Sequence, residues 1–167
     1  MLIRTEEQTD VEAVRRLNKS AFEGLAEAGL VDGLRKNAEP VISLVAEDNG
    51  EIVGHIMFSP VAHSMDADLS LMGLAPMAVS PDRQKEGIGS ALIEAGLERC
   101  SAMEVVAVVV LGHPNYYPRF GFLPSSKYGI ASEYDVPEEV FLVIELQEGA
   151  LYDKPGRVHY HREFSKI

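Results

Sequence analysis

A single cysteine among 167 residues rules out an internal disulfide and leaves a cysteine-based metal site without partners, so Cys100 is expected to pack inside a helix. No apolar run approaches the roughly 20 residues that span a bilayer, and Met1-Leu2-Ile3-Arg4-Thr5-Glu6-Glu7 has no charged leader followed by an apolar stretch. A cytoplasmic protein without membrane association is expected. Basic residues are also scarce: 15 Lys and Arg stand against 26 Asp and Glu, a formal net charge of -11. That speaks against a nucleic-acid backbone as partner, which needs a basic face, and favours a cationic substrate. Internal repeats, low-complexity tracts and Pro/Ser-rich linkers are absent, so no domain boundary has a place to fall. A single domain over residues 1–167 is expected, with a core over about 1–147 and a strand extension over about 148–167, and a homodimer is compatible with it.

What is present is an ordinary globular composition, 46% hydrophobic and 25% charged. A short strand at Leu2–Thr5 leads to Thr9-Asp10-Val11-Glu12, which reads as a capping box opening a helix with Val14, Leu17 and Ala21 on one face. A second helix is expected from Glu23 to Lys36. Val41–Glu47 and Ile52–Phe58 flank Asp48-Asn49-Gly50-Glu51, a strong hairpin signal, and the polar turn Ser64–Asp68 leads into a third antiparallel strand, Leu69–Val79. Gly87–Ala102 reads as a helix. Val105–Leu111, almost wholly apolar and β-branched, reads as a strand covered on both faces. Strand, helix and strand in this order imply a parallel crossover. Pro114–Phe120 can form a short helix with proline in its first turn, and Glu139–Leu146 and Arg157–Phe164 are expected strands. The class is α+β, a mixed α/β layout.

Chemistry concentrates first where strand gives way to helix, in Val79-Ser80-Pro81-Asp82-Arg83-Gln84-Lys85-Glu86-Gly87-Ile88-Gly89-Ser90. The first N–H groups of a helix have no internal partner and sit at the positive end of its dipole, so main chain alone can hold a pyrophosphate. Glycines let phosphates approach, and Arg83 and Lys85 add two cations. The segment lacks the Lys-Ser/Thr pair of a P-loop, and it lacks the third glycine and downstream acid of a dinucleotide fold, which disfavours ATP and NAD. Pro76, inside the preceding Leu74–Val79, cannot donate to a ladder and marks a bulge or an end of pairing.

The pattern Gln84-x-x-Gly87-Ile88-Gly89, after Val79-x-Pro81 and running into a helix with Leu92, resembles the acyl-CoA signature of the GNAT superfamily of N-acetyltransferases. The resemblance implies an acyl-CoA N-acyltransferase fold: a mixed, mostly antiparallel sheet of six to seven strands with a splayed central parallel pair, flanked by helices. It implies acetyl-CoA as cofactor, with the pyrophosphate on Gln84, Lys85, Glu86, Gly87, Ile88, Gly89 and Ser90. The pantetheine arm would lie in the splayed cleft on the main chain of Met77, Ala78 and Val79.

A second motif follows the buried strand: Gly112-His113-Pro114-Asn115-Tyr116-Tyr117-Pro118-Arg119-Phe120-Gly121-Phe122. In the superfamily a tyrosine four residues before a Gly-Phe pair lies near the thioester sulfur, and Tyr117 holds that place. A phenol with pKa about 10 is protonated at neutral pH and can protonate a departing thiolate. Tyr116 is the neighbouring rival; on a helix the two point about 100° apart, so the other one packs or lines the acceptor pocket. Asn115 either bonds the cofactor arm or caps the short helix. Together with Ala26-Glu27-Ala28-x-Leu30-Val31 and Val158-x-Tyr160-His161-x-x-Phe164, the motif is similar to a bacterial subgroup of acetyltransferases of the YhbS type.

The resemblance thus implies transfer of acetyl from acetyl-CoA to a primary amine: a small amine, an amino-acid derivative or a protein amine. The glutamate that several family members place on the splayed strand has no counterpart between Leu69 and Val79, which leaves Glu27 and His113 as candidate bases. His55 and His63 read as structural, and His159 and His161, though they alternate along the expected last strand, lack a third ligand, so no metal is expected. The acceptor pocket is expected between the first two helices, the loop after Phe58 and the segment Tyr128–Pro137. A module that binds acyl-CoA without turning it over, or a site for a different phosphate ligand, are the competing readings.

Overall fold

In the computed structural model, which describes all 167 residues, β1 (Leu2–Thr5) lies along one edge of the sheet and leads into a helical hairpin. The backbone N–H of Glu7 donates to the Asp10 carboxylate at 2.7 Å, and Arg4 grips the same carboxylate at 2.7 and 3.0 Å. The capping box therefore belongs to Glu7 and Asp10, not to Thr9 and Glu12, because Asp10 has the long-range cationic partner. α1 (Val11–Phe22) ends where Glu23 turns left-handed, at φ 52°, and this delays α2 to Ala26–Asn37. Leu30, Val31 and Leu34 of α2 pack with Val14 of α1 over Val45 and Met57 of the sheet.

Asn49 and Gly50, at φ 51° and 80°, make the tight turn between β2 (Ile42–Asp48) and β3 (Glu51–His63). β3 runs five residues past the expected end at Phe58: Ser59–Val61 pair with β4 (Leu71–Val79), and Ala62 and His63 pair with β9 (Gly156–His159). α3 (Ile88–Ala102) then crosses over and returns the chain to β5 (Ala107–Leu111), parallel to β4. Phe58 occupies the space a side chain at Gly96 would need, which seats α3 closely on the sheet. Cys100 is fully buried on α3, and burial pushes its thiol up to about 12, as suits a packing residue.

The main sheet is ordered β1-β2-β3-β4-β5-β8-β6, with β6 at Leu123–Pro124 and β8 at Phe141–Glu145, and β4–β5 is its one parallel pair. β7 (Ile130–Ser132) and β9 form a small parallel ladder that continues β3. The β4–β5 ladder stops after Leu71–Gly73 against Ala107–Val109, and the β3–β4 register shifts opposite Pro76. Leu74–Val79 therefore presents a strand edge that β5 does not cover, the splay expected from the proline.

Further elements differ from the sequence expectation. Of the expected helix Pro114–Phe120 only Tyr117–Phe120 turns helically, as a 3-10 turn with Pro118, not Pro114, in its first turn. Beyond β9 the chain coils into Arg162–Lys166 instead of continuing as a strand, because His161 Nδ1 accepts the N–H of Glu163 at 3.1 Å. The two- and three-residue strands β6 and β7 leave too short a pattern to read. His55, fully buried, bonds Ser43 Oγ at 2.8 Å, and burial pushes it down to about 3, so it is neutral. His63 Nε2 bonds the Lys154 carbonyl at 2.8 Å, and both are structural histidines.

Candidate functional site

The backbone between β4 and α3 is set by two left-handed residues, Lys85 at φ 67° and Gly87 at φ 85°, the second standing at the N-cap of α3. No side chain covers that cap, and the N–H groups of Lys85 to Ser90 donate to no acceptor within the protein. Six amides at the positive end of a fifteen-residue helix open onto a cavity of about 630 Å³ lined by Met77, Val79, Gln84, Lys85, Gly89 and Tyr116 among others. Gly89 keeps this cradle open: a Cβ there would lie 3.1 Å from Tyr116 Oη and 3.5 Å from Met77 Cε.

The charges of the loop are divided. Arg83 donates to Asp48 at 2.8 Å and to Glu86 at 2.9 Å, so it is neutralised in place, whereas Lys85 and Arg119 are cations on this cavity that form no ion pair. Glu86 spends its carboxylate on Arg83 and can offer a ligand only its N–H. Ile88 turns its side chain into the core, where it is 2% exposed, and Ser90 lines the cradle wall. Ala78 is buried beside the cradle and can contribute main chain alone. Asn115 is exposed, lines neither this cavity nor the next, and does not cap the turn, whose N-cap is Tyr116.

A second cavity, of about 460 Å³, lies along the same strand edge, and Met77 belongs to the walls of both. Tyr117 lines it. The Tyr117 ring occupies the space above Gly112 and meets Phe122 edge-on at 5.6 Å, which leaves it 9% exposed. Its hydroxyl forms no hydrogen bond within the protein, and burial, reinforced by Tyr116, pushes the phenol up to about 12. Tyr116 meets Tyr117 at 5.1 Å with its ring nearly perpendicular and faces the glycine loop, stacked under Arg119 at 4.7 Å. The adjacent tyrosines thus line different cavities, and Tyr116 does not line the second one.

The remaining walls of the second cavity come from far apart in the chain: Phe22 and Leu30 of the helical hairpin, Tyr134 from the segment after β7, and Tyr160 and Phe164 near the end. The loop after Phe58, expected here, is replaced by that last segment, because β3 continues and carries the loop away. Aromatic residues four apart at Tyr160 and Phe164 were the available signal, visible only if the segment is helical. Glu27 lines the cavity from α2, whereas His113 lines neither cavity and its Nδ1 accepts the N–H of Asn115 at 3.1 Å. Of the two candidate bases only Glu27 reaches the site.

A family model described as acetyltransferase (GNAT) domain matches residues 2–124. The uncharacterized N-acetyltransferase YhbS of Escherichia coli K12 is 35% identical over 168 residues, covering 100% of both chains. The uncharacterized N-acetyltransferase YjhQ of the same strain is 39% identical over 137 residues, which cover 80% of this chain and 76% of that one. Among solved structures, E. coli YhbS in complex with CoA superposes with a TM-score of 0.92 over 98% of this chain and 91% of that one, at 35% identity. A GNAT family acetyltransferase from Brucella melitensis in complex with acetyl-CoA gives 0.81 over 98% and 97%, at 33% identity. No helix is long and apolar enough to cross a membrane.

Proposed function

The chain belongs to the GNAT acetyltransferase family, and on that premise we propose that it transfers acetyl from acetyl-CoA to a primary amine, in the cytoplasm, with residues 1–167 working as one catalytic unit. The observation that carries this reading is the shared wall at Met77: one uncovered strand edge joins a cradle of six free amides to a cavity holding an unbonded phenol.

The cradle fits a pyrophosphate, since the amides of Lys85 to Ser90 supply donors and Lys85 supplies charge. The uncovered edge at Met77–Val79 offers main-chain groups to an amide-bearing arm, and such an arm running toward Gly73 delivers a thioester into the second cavity. There the neutral amine attacks the carbonyl carbon, the C–S bond breaks, the Tyr117 hydroxyl gives its proton to the sulfur, and the proton shed by the acylated nitrogen returns to the Tyr117 oxygen and restores the phenol. The phenol is suited to this step because burial keeps it protonated across the working range.

Calorimetric titration with acetyl-CoA, with free CoA and ATP as controls, tests the reading. Micromolar binding of acetyl-CoA and CoA with none of ATP is expected, and binding of ATP in preference to CoA would overturn it.

A further inference from the structure

We propose that the acceptor is a primary amine carried on a flat, otherwise uncharged body, of the arylalkylamine class, with its ammonium held at Glu27 and its body between the rings of the second cavity. The proposal rests on the acetyl-transfer reading and deepens it.

Glu27 supplies the only charged side chain on that cavity wall, and it forms no ion pair and no side-chain hydrogen bond. A carboxylate without a partner, facing an apolar cavity in a chain of net charge -11, suits a ligand cation. Five of the other twelve lining residues carry aromatic rings, Phe22, Tyr117, Tyr134, Tyr160 and Phe164, and the rest are aliphatic. Aromatic faces bind flat apolar bodies and favour a cation passing over them.

What the cavity lacks narrows the class. With one acidic side chain on its wall, it offers no second side-chain carboxylate for the second ammonium of a polyamine. With no lysine or arginine on its wall, it leaves the carboxylate of a free amino acid unpaired. A volume of about 460 Å³ accommodates a small amine of this kind.

The test follows CoA release from acetyl-CoA with 2-phenylethylamine, spermidine and L-lysine as acceptors, with acetyl-CoA affinity measured on the same protein. Expected is a kcat/KM for 2-phenylethylamine at least about tenfold above the other two. Glu27→Gln should raise its KM about tenfold with acetyl-CoA affinity unchanged, and Tyr134→Ala should weaken 2-phenylethylamine more than spermidine. Preference for spermidine or lysine, turnover of none of the three by protein that binds acetyl-CoA, or an unchanged KM in Glu27→Gln would each overturn the class. Failure to bind acetyl-CoA at all would overturn the underlying reading instead.

Discussion

On one side of Met77 most of the cavity wall comes from the single stretch Arg83–Ser90 after β4, with its free amides, whereas on the other it is side chains gathered from the helical hairpin, the tyrosine turn, the segment after β7 and the end of the chain. The first recognises an anion through amides that any sequence possesses, provided a glycine opens the way and a helix begins there. The second recognises through ring faces, one carboxylate and one phenol, each of which depends on residue identity. A binding surface made of backbone constrains a few neighbouring positions tightly; one made of side chains constrains many scattered positions loosely.

The sharpest way to break this comparison is to fill the cradle. Gly89→Glu places a side chain where Tyr116 Oη is already 3.1 Å from the site of a Cβ, and adds negative charge where phosphate would sit. A glutamate in the first helical turn favours the helix dipole, so the fold should tolerate it. Acetyl-CoA affinity measured by calorimetry is expected to fall on the order of 100-fold or more, about 2.7 kcal/mol, with the melting temperature held. Unchanged affinity in that folded protein would move the anion site elsewhere.

Tyr117→Phe probes the other side. It keeps the ring against Phe122 and removes only the hydroxyl, so kcat should drop on the order of 10²-fold while acetyl-CoA affinity stays within about twofold. Full turnover would remove Tyr117 from the chemistry, and intact binding with no turnover in the unsubstituted protein would favour an acyl-CoA sensor. The pH profile has a definite sign. A phenol raised to about 12 keeps its proton at every lower pH, so activity that needs the protonated form persists up to that value and is lost only above it. Activity should therefore rise with pH as the amine deprotonates, with no falling limb below about pH 11 from this group. A descending limb near pH 9 that disappears in Tyr117→Phe would contradict the burial that sets this value.

The same contrast explains what could be read in the sequence. The glycine loop, the splay at Pro76 and the Asn49-Gly50 hairpin are local: each is fixed by residues within one turn or strand, and each stands where the pattern placed it. The crossover from β4 through α3 to β5 follows from hydrophobic pattern and handedness. The second cavity was legible only in part, since Tyr117 and Glu27 can be picked out by motif and by elimination, but the contribution of Tyr160 and Phe164 depends on β3 running on to pair with β9. That pairing joins residues almost a hundred apart, and no local signal predicts it. The helix cap moved for the same reason, because Arg4, on β1, selects Asp10. Asn115, whose two readings were both local, lines neither cavity and caps nothing.

The smallest expected effect separates charge from main chain within the cradle itself. Arg83 and Lys85 stand two residues apart and read alike in the sequence, yet Arg83 is held between Asp48 and Glu86 while Lys85 is unpaired on the cavity wall. Lys85→Met should weaken acetyl-CoA binding about three- to fivefold at low salt, and raising the salt to about 0.5 M should shrink the difference as the exposed charge is screened. Arg83→Met should change binding less than about twofold, because its charge is already spent on two carboxylates. Titrations of both variants at two salt concentrations decide the point. Equal losses would mean that Asp48 and Glu86 release Arg83 to the ligand, and the cradle would then owe more to side chains than its free amides suggest.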